Sequence, residues 1–220
     1  MKKFLILFIG LLAFLTSVNS MSLFSPGDVE KRNKEQCAKQ DVQLVEMQSQ
    51  LAVFDGIEQG KTYQYFSQGI VNTNDLLWRI LKRTGPADLC ISTWSMGRYV
   101  ADQFIKKYDK GLFTSAKFLM DTRCKANSKT PIYVLQHKFD VRLCRIHAKI
   151  ILLKNENWRL TAITSSNMQR NSRIEIGCVF TDELTFDFHN KWFNYVYDNI
   201  PTGRVSPACR GTYSRLLKLQ

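Results

Sequence analysis

From Lys61 onward, short apolar or β-branched runs alternate with segments whose apolar residues recur at helical spacing. This alternation restricts the fold more than any other feature of the chain. Tyr63 to Ser67, Ala87 to Trp94 and Ala116 to Asp121 read as strands, and Asn74 to Thr84 and Arg98 to Tyr108 as helices ending near Gly85 and Gly111. Pro131 to Phe139 reads as a further helix. Three strands then follow closely: Arg142 to Leu153, Trp158 to Ser165 and Arg173 to Thr181, with Asn155-Glu156-Asn157 turning the first into the second. Glu183 to Asn199 is an amphipathic aromatic helix stopped before Pro201. Near-continuous apolar runs such as Ile150-Ile151-Leu152-Leu153 need cover on both sides. The expected fold class is α/β, a mixed central β-sheet flanked by helices on both faces.

Outside this unit the chain divides into three pieces. Lys2 and Lys3, an apolar run from Phe4 to Leu15, and the small-residue exit at Val18 and Ser20 describe a secretory signal peptide over residues 1–20. The protein is therefore expected to be periplasmic or secreted. An uncleaved anchor through residues 4–18 and a cytoplasmic start at Met21 are the other options. Residues 21–59 form an N-terminal arm with an imperfect helical pattern at Val42, Val45, Met47, Leu51 and Val53, and residues 202–220 a basic tail. The domain itself is expected over residues 60–201.

Charge narrows the partner. The 220 residues hold 31 Lys and Arg against 19 Asp and Glu, a formal net charge of +12 that calls for a polyanion, either nucleic acid or an anionic membrane surface. At 45% hydrophobic and 23% charged residues the chain has the composition of a folded protein, which excludes global disorder. The six cysteines are irregularly spaced with no Cys-x-x-Cys pair, so zinc-site spacing is absent. Disulfides stay open in an exported protein, while Cys90, Cys144 and Cys178, in apolar runs, read as buried thiols.

The chemistry concentrates in RIHAKIILLKNENWRLTAITSSNMQRNSRIEIG. Side chains alternate along a strand, so His147 and Lys149 project from one face about 7 Å apart, within reach of one ligand. An imidazole beside an ammonium is a nucleophile or acid next to an anion clamp. Asn167, ending the adjoining strand, can donate a neutral hydrogen bond to the same anion. Glu175, on the next strand, can hold one imidazole nitrogen and fix the tautomer, or pair with Arg170 or Arg173. Lys138 to Arg173 holds eight Lys or Arg against Asp140 and Glu156, a bias that suits a phosphodiester polyanion.

This segment resembles the signature of the phospholipase D superfamily: His-x-Lys, four residues, Asp, about six residues and Gly-Ser-x-Asn, then an acidic residue. The resemblance places His147 on the nucleophile, Lys149 and Asn167 on the phosphate-binding pair, Ser165 on the signature serine and Glu175 on the histidine-orienting acid. With the order of strands and helices before it, it covers roughly residues 60 to 200. Two positions depart, Lys154 where the family has Asp and Thr164 where it has Gly, and the half-motifs are further apart around the Asn155–Asn157 turn.

The resemblance implies a metal-independent phosphodiesterase working through a phosphohistidine, with no cofactor. A single motif per chain implies a homodimer with a composite active site on the two-fold axis. Length, leader and charge resemble small bacterial periplasmic endonucleases, which implies a non-specific endonuclease on DNA, with RNA left open as a second substrate. A phospholipase D or cardiolipin-type lipid phosphodiesterase bound to anionic phospholipid is the second reading, and a catalytically silent nucleic-acid-binding module the third. A second His-x-Lys, His189-Asn190-Lys191, falls in a helix, where positions two apart diverge by about 200°. With no Ser-x-Asn after it, His189 reads as a surface or packing residue. His137 reads as structural, and the aromatic helix around Phe186, Phe188, Trp192, Phe193 and Tyr195 as core or dimer contact.

Overall fold

The computed structural model of the chain describes residues 42–46, 51–67, 72–124, 129–170 and 172–200. The expected signal peptide, most of the arm, the basic tail and two of the cysteines, Cys37 and Cys209, lie outside the described residues.

Strands are β1 (Val42–Glu46), β2 (Thr62–Ser67), β3 (Asp88–Thr93), β4 (Ser115–Asp121), β5 (Asp140–Cys144), β6 (Ile150–Lys154), β7 (Arg159–Thr164) and β8 (Glu175–Phe180). Helices are α1 (Thr73–Thr84), α2 (Arg98–Asp109), α3 (Thr130–Gln136) and α4 (Glu183–Asp198). The strands form one mixed sheet in the order β1-β2-β8-β7-β6-β3-β4-β5. β3, β4 and β5 run parallel, β6, β7 and β8 antiparallel to their neighbours, and β1 parallel to β2.

Local chemistry sets the boundaries. Asn72 and Asp75 form a capping box at the start of α1, and Gly85, at φ 79°, ends it in a backbone conformation that favours glycine. The Asp182 side chain accepts from Thr185 N at 2.7 Å and starts α4. In the β6–β7 turn, Asn155 Oδ1 accepts from the backbone N–H groups of Asn157 and Trp158 at 3.1 and 2.9 Å. The same amide donates to Thr84 O at 2.9 Å, tying the hairpin to the end of α1.

Both faces are covered, as the apolar runs require. One cluster joins Leu76, Leu77 and Trp78 of α1, Phe104 of α2 and Ile132 and Leu135 of α3 to Ile91, Phe118 and Ile151 of the sheet. The other packs Phe186, Phe193 and Tyr197 of α4 on Leu119, Cys144, Ile150 and Leu152. Burying each side chain of this size stabilises by about 1.5–3 kcal/mol. Cys90, Cys124, Cys144 and Cys178 are in no disulfide, with Cys144 buried and Cys90 and Cys178 half-buried.

Two expectations are corrected. The helical pattern in the arm is instead a strand at Val42–Glu46 and a 3-10 turn at Leu51–Asp55. Backbone pairing with β2 (Val42 opposite Thr62 through Glu46 opposite Phe66) overrides the weak periodicity. The single strand read over Arg142 to Leu153 is two, β5 and β6. Residues 145–149 leave the edge of the sheet and cross the ends of β4 and β3 to enter it again beside β7.

Gly177 occupies a position that excludes any side chain. A Cβ there would lie 2.5 Å from the Tyr65 ring and 2.7 Å from Ile163 O. Gly177→Ala is expected to destabilise the chain by about 2 kcal/mol through overpacking, read as a lower urea midpoint with an unchanged slope. An unchanged midpoint would show that the Tyr65 ring moves aside freely.

Candidate active site

Every segment carrying a candidate residue emerges at one end of the sheet: the C-terminal ends of β3, β4, β5 and β7 and the N-terminal ends of β6 and β8. Open α/β sheets bind ligands where strands of this kind end. His147 and Lys149 lie in the crossing segment rather than on a strand.

Three neighbours hold that segment. Asp121, its side chain 1% exposed at the end of β4, accepts from Ile146 N at 3.0 Å through Oδ2. Its Oδ1 accepts from the N and Nε of Arg123 at 2.8 and 2.9 Å. Burial alone would raise the carboxyl pKa, but the Arg123 side chain and these backbone donors outweigh it and hold it below the ordinary value. Ser92 Oγ of β3 donates to Ala148 O at 3.0 Å, and Lys149 O accepts from Thr164 N of β7 at 3.1 Å. The backbone on each side of His147 is thereby fixed while the imidazole itself is exposed.

Lys149 Nζ lies 3.3 Å from each nitrogen of the His147 ring and donates to His147 O at 3.2 Å. Desolvation lowers the Lys149 pKa, partly opposed by the charge of Glu175. The Trp94 ring meets His147 edge-on at 6.1 Å between centroids, and Arg123 lies over Trp94 at 5.3 Å. His147, Ala148, Lys149 and Ile150 form one wall of an open cleft of about 500 Å³, with Ile163, Thr164 and Ser165 from β7 and His189 and Trp192 from α4 completing it.

The predicted residues are only partly brought together. His147, Lys149 and Ser165 share the cleft. Glu175 accepts a hydrogen bond from Ser165 Oγ, which itself accepts from Ile176 N at 3.0 Å. The expected Glu175–His147 contact is not formed within the chain: the imidazole nitrogens face Lys149, and Glu175 acts on the site through Ser165 and its charge. Asn167 does not line the cleft. It sits in a loop pinned to the turn after β3, where Met168 N donates to Ser95 O at 3.2 Å and Gly97 N to Met168 O at 2.9 Å. Its Oδ1 is buried without a hydrogen-bond partner, the kind of polar group that needs one.

The two departures from the signature have structural explanations. Lys154 stands opposite Asp88 at the far end of β6, five residues beyond Lys149, or about 17 Å along an extended strand. It helps hold the Asp88 carboxyl low, after the larger effects of Ser115 and Thr114. Thr164 supplies the N–H that fixes Lys149, and its Oγ1 accepts from Ser166 N at 3.0 Å to turn the chain out of β7. Sequence reasoning missed the structural part played by Asp121 and took His189 for a surface or packing residue, because helix periodicity does not reveal that α4 lies beside the cleft. Among the described residues no group of three His, Cys, Asp or Glu gathers as a metal site would require.

One known structure with this architecture settles the fold. Nuc from Salmonella typhimurium, described as a phospholipase D family member, superposes with a TM-score of 0.52 at 12% identity, covering 65% of this chain and 97% of that one. The fold is phospholipase D-like. Phosphatidylserine synthase from Haemophilus influenzae (TM-score 0.47, 12% identity, 72% of this chain and 46% of that one) is a more distant match. NucT from Helicobacter pylori is likewise distant (TM-score 0.44, 13% identity, 52% and 81%). No protein-family model matches the sequence, and no curated protein sequence matches it significantly. In this phospholipase D-like fold the crossing segment delivers His147 and Lys149 to the mouth of the cleft.

Proposed function

We propose that the protein is a metal-independent phosphodiesterase that cleaves nucleic acid, DNA in the first place, through a phosphohistidine. The observation that carries this reading is the Lys149 ammonium 3.3 Å from both His147 nitrogens on the wall of an open cleft. A phosphoryl group bound there meets a nucleophile and a fixed positive charge together. The imidazole attacks phosphorus, an N–P bond forms and the P–O bond to the leaving group breaks. A second acid protonates the departing oxygen, then takes a proton from the water that breaks the N–P bond. Lys149 neutralises charge growing on the phosphoryl oxygens.

The second acid is His147 of another copy, in a homodimer whose two clefts meet. Apolar surface beside the cleft supports this. Ile163, which lines it, and Ile176, Ile174, Phe66 and Phe188 are all exposed, Ile176 by 62% and Ile174 by 75%. Isolated monomers seldom leave so many adjoining large side chains in water. Nucleic acid is favoured over lipid by the surroundings, where Arg123 lies over Trp94 and Arg170 over the exposed ring of Tyr99 at 4.8 Å. Guanidinium groups interleaved with aromatic surface suit a polymer of phosphates and bases. The apolar leader fits export from the cytoplasm.

Plasmid DNA and anionic phospholipid vesicles are incubated separately with the protein in excess chelator, and its molar mass is measured at assay concentration. The expected result is nicked and degraded DNA, intact vesicles and a mass of two chains. Release of lipid headgroup with DNA untouched would replace the nuclease by a lipid phosphodiesterase. DNA binding without cleavage would leave a silent binding module, and a one-chain mass would remove the shared site.

A further inference from the structure

His189 belongs to the same cleft as His147 and Lys149, although it comes from α4 on the face of the sheet that carries the Phe193 cluster. Its Nδ1 accepts a hydrogen bond from Trp192 Nε1 at 2.9 Å. An indole nitrogen only donates, so Nδ1 must be unprotonated and the neutral ring carries its proton on Nε2. No described group bonds Nε2. The Phe188 and Trp192 rings flank the imidazole, with centroids at 4.9 and 6.2 Å, and fix its plane. A ring with one nitrogen satisfied by its own helix, the other unoccupied, and a wall shared with a nucleophile is arranged to hold a ligand.

We propose that His189 is a substrate-positioning residue whose Nε2–H donates a hydrogen bond to an oxygen of the phosphodiester bound at His147 and Lys149. This rests on the reading of the cleft as a phosphoryl site. Burial keeps the His189 imidazole below its ordinary pKa, and protonating Nδ1 would break the Trp192 bond. The group is therefore neutral at pH 7, a donor that orients the phosphate without adding charge. Such a contact is made to the bound substrate and to the transition state alike, so its removal acts on KM rather than kcat. Trp192 sets which nitrogen carries the proton, an outer contact of the kind that fixes histidine tautomers in metal and catalytic sites.

The test uses the full chain with 15N-labelled histidine and two readouts. In the first, inorganic phosphate is titrated in and the imidazole nitrogens are followed by NMR. Wild-type His189 is expected as the Nε2-protonated neutral tautomer, and both His147 and His189 signals shift with phosphate. A shift at His147 alone overturns the proposal for His189 and leaves the phosphoryl site standing. No shift at either overturns the site itself. In the second, His189→Ala is expected to raise KM for plasmid DNA about tenfold with kcat within threefold, and His189→Gln, whose amide can donate from a similar position, to restore most of the loss. Trp192→Phe keeps the ring and removes the indole N–H. It is expected to mix the two tautomers and raise KM part of the way. An unchanged KM in His189→Ala, or a purely kcat effect not recovered by glutamine, overturns the proposal.

Discussion

His147→Ala is expected to reduce plasmid cleavage by on the order of 10⁴-fold or more while leaving the fold intact, because it removes the proposed nucleophile rather than a contact that assists it. The exposed imidazole makes no core contact, and the backbone around it is held by Asp121, Ser92 and Thr164, none of which the substitution touches. Circular dichroism and the urea midpoint should therefore match wild type. Substrate labelled at phosphorus and quenched in base should leave an acid-labile label on the wild-type chain and none on the variant. The proposed homodimer makes a second demand. If each site uses both copies of His147, random mixing of equal amounts of wild-type and variant chains leaves about a quarter of the activity rather than half. Half would mean that each chain works alone; residual cleavage within tenfold of wild type by His147→Ala would remove the phosphohistidine.

Lys149→Met should cost 10²–10³-fold in kcat, or about 2.7–4 kcal/mol, the usual scale for a charge aimed at a developing oxyanion. Methionine keeps much of the stem and discards the ammonium that sits 3.3 Å from the imidazole nitrogens. The pH profile gives an independent reading. Desolvation lowers the Lys149 pKa from its ordinary 10.5, and in the proposed mechanism the protonated form is the active one. Activity therefore falls as pH rises through that lowered value, earlier than for a lysine in water. Lys149→Arg keeps its charge throughout this range, so its residual activity should show the alkaline limb displaced upward. An identical alkaline limb in the arginine variant would assign that limb to another group.

Strands β3 and β7 and helices α1, α2 and α4 were legible from periodicity and punctuation, because Asn72, Gly85, Asn155 and Asp182 each act locally on the backbone beside them. The break between β5 and β6 was not. Arg142 to Leu153 alternates and then turns apolar with no Gly or Pro to break it, and what interrupts it is a hydrogen bond from Ile146 N to Asp121, 25 residues earlier. β1 was hidden for the related reason that an edge strand is defined by its partner. At the site, the His-x-Lys spacing was read as two side chains on one strand face, and Lys149 Nζ lies 3.3 Å from both imidazole nitrogens although neither residue is on a strand. Glu175 was read beside the imidazole, whereas within the chain it accepts from Ser165 Oγ, and Asn167 was read beside the same anion, whereas its loop is drawn back onto the turn after β3. His189 needed the tertiary position of α4, which no spacing contains.

The crossing from Cys144 to Ile150 spans three inter-strand gaps, about 14 Å, with six Cα steps that reach about 20 Å at full stretch. A strap drawn to more than two thirds of its limit has few alternative paths. The imidazole is thus presented by a short, anchored backbone rather than by a carboxylate of the same chain gripping its ring, and Glu175 can stay bonded to Ser165 without freeing His147 to wander.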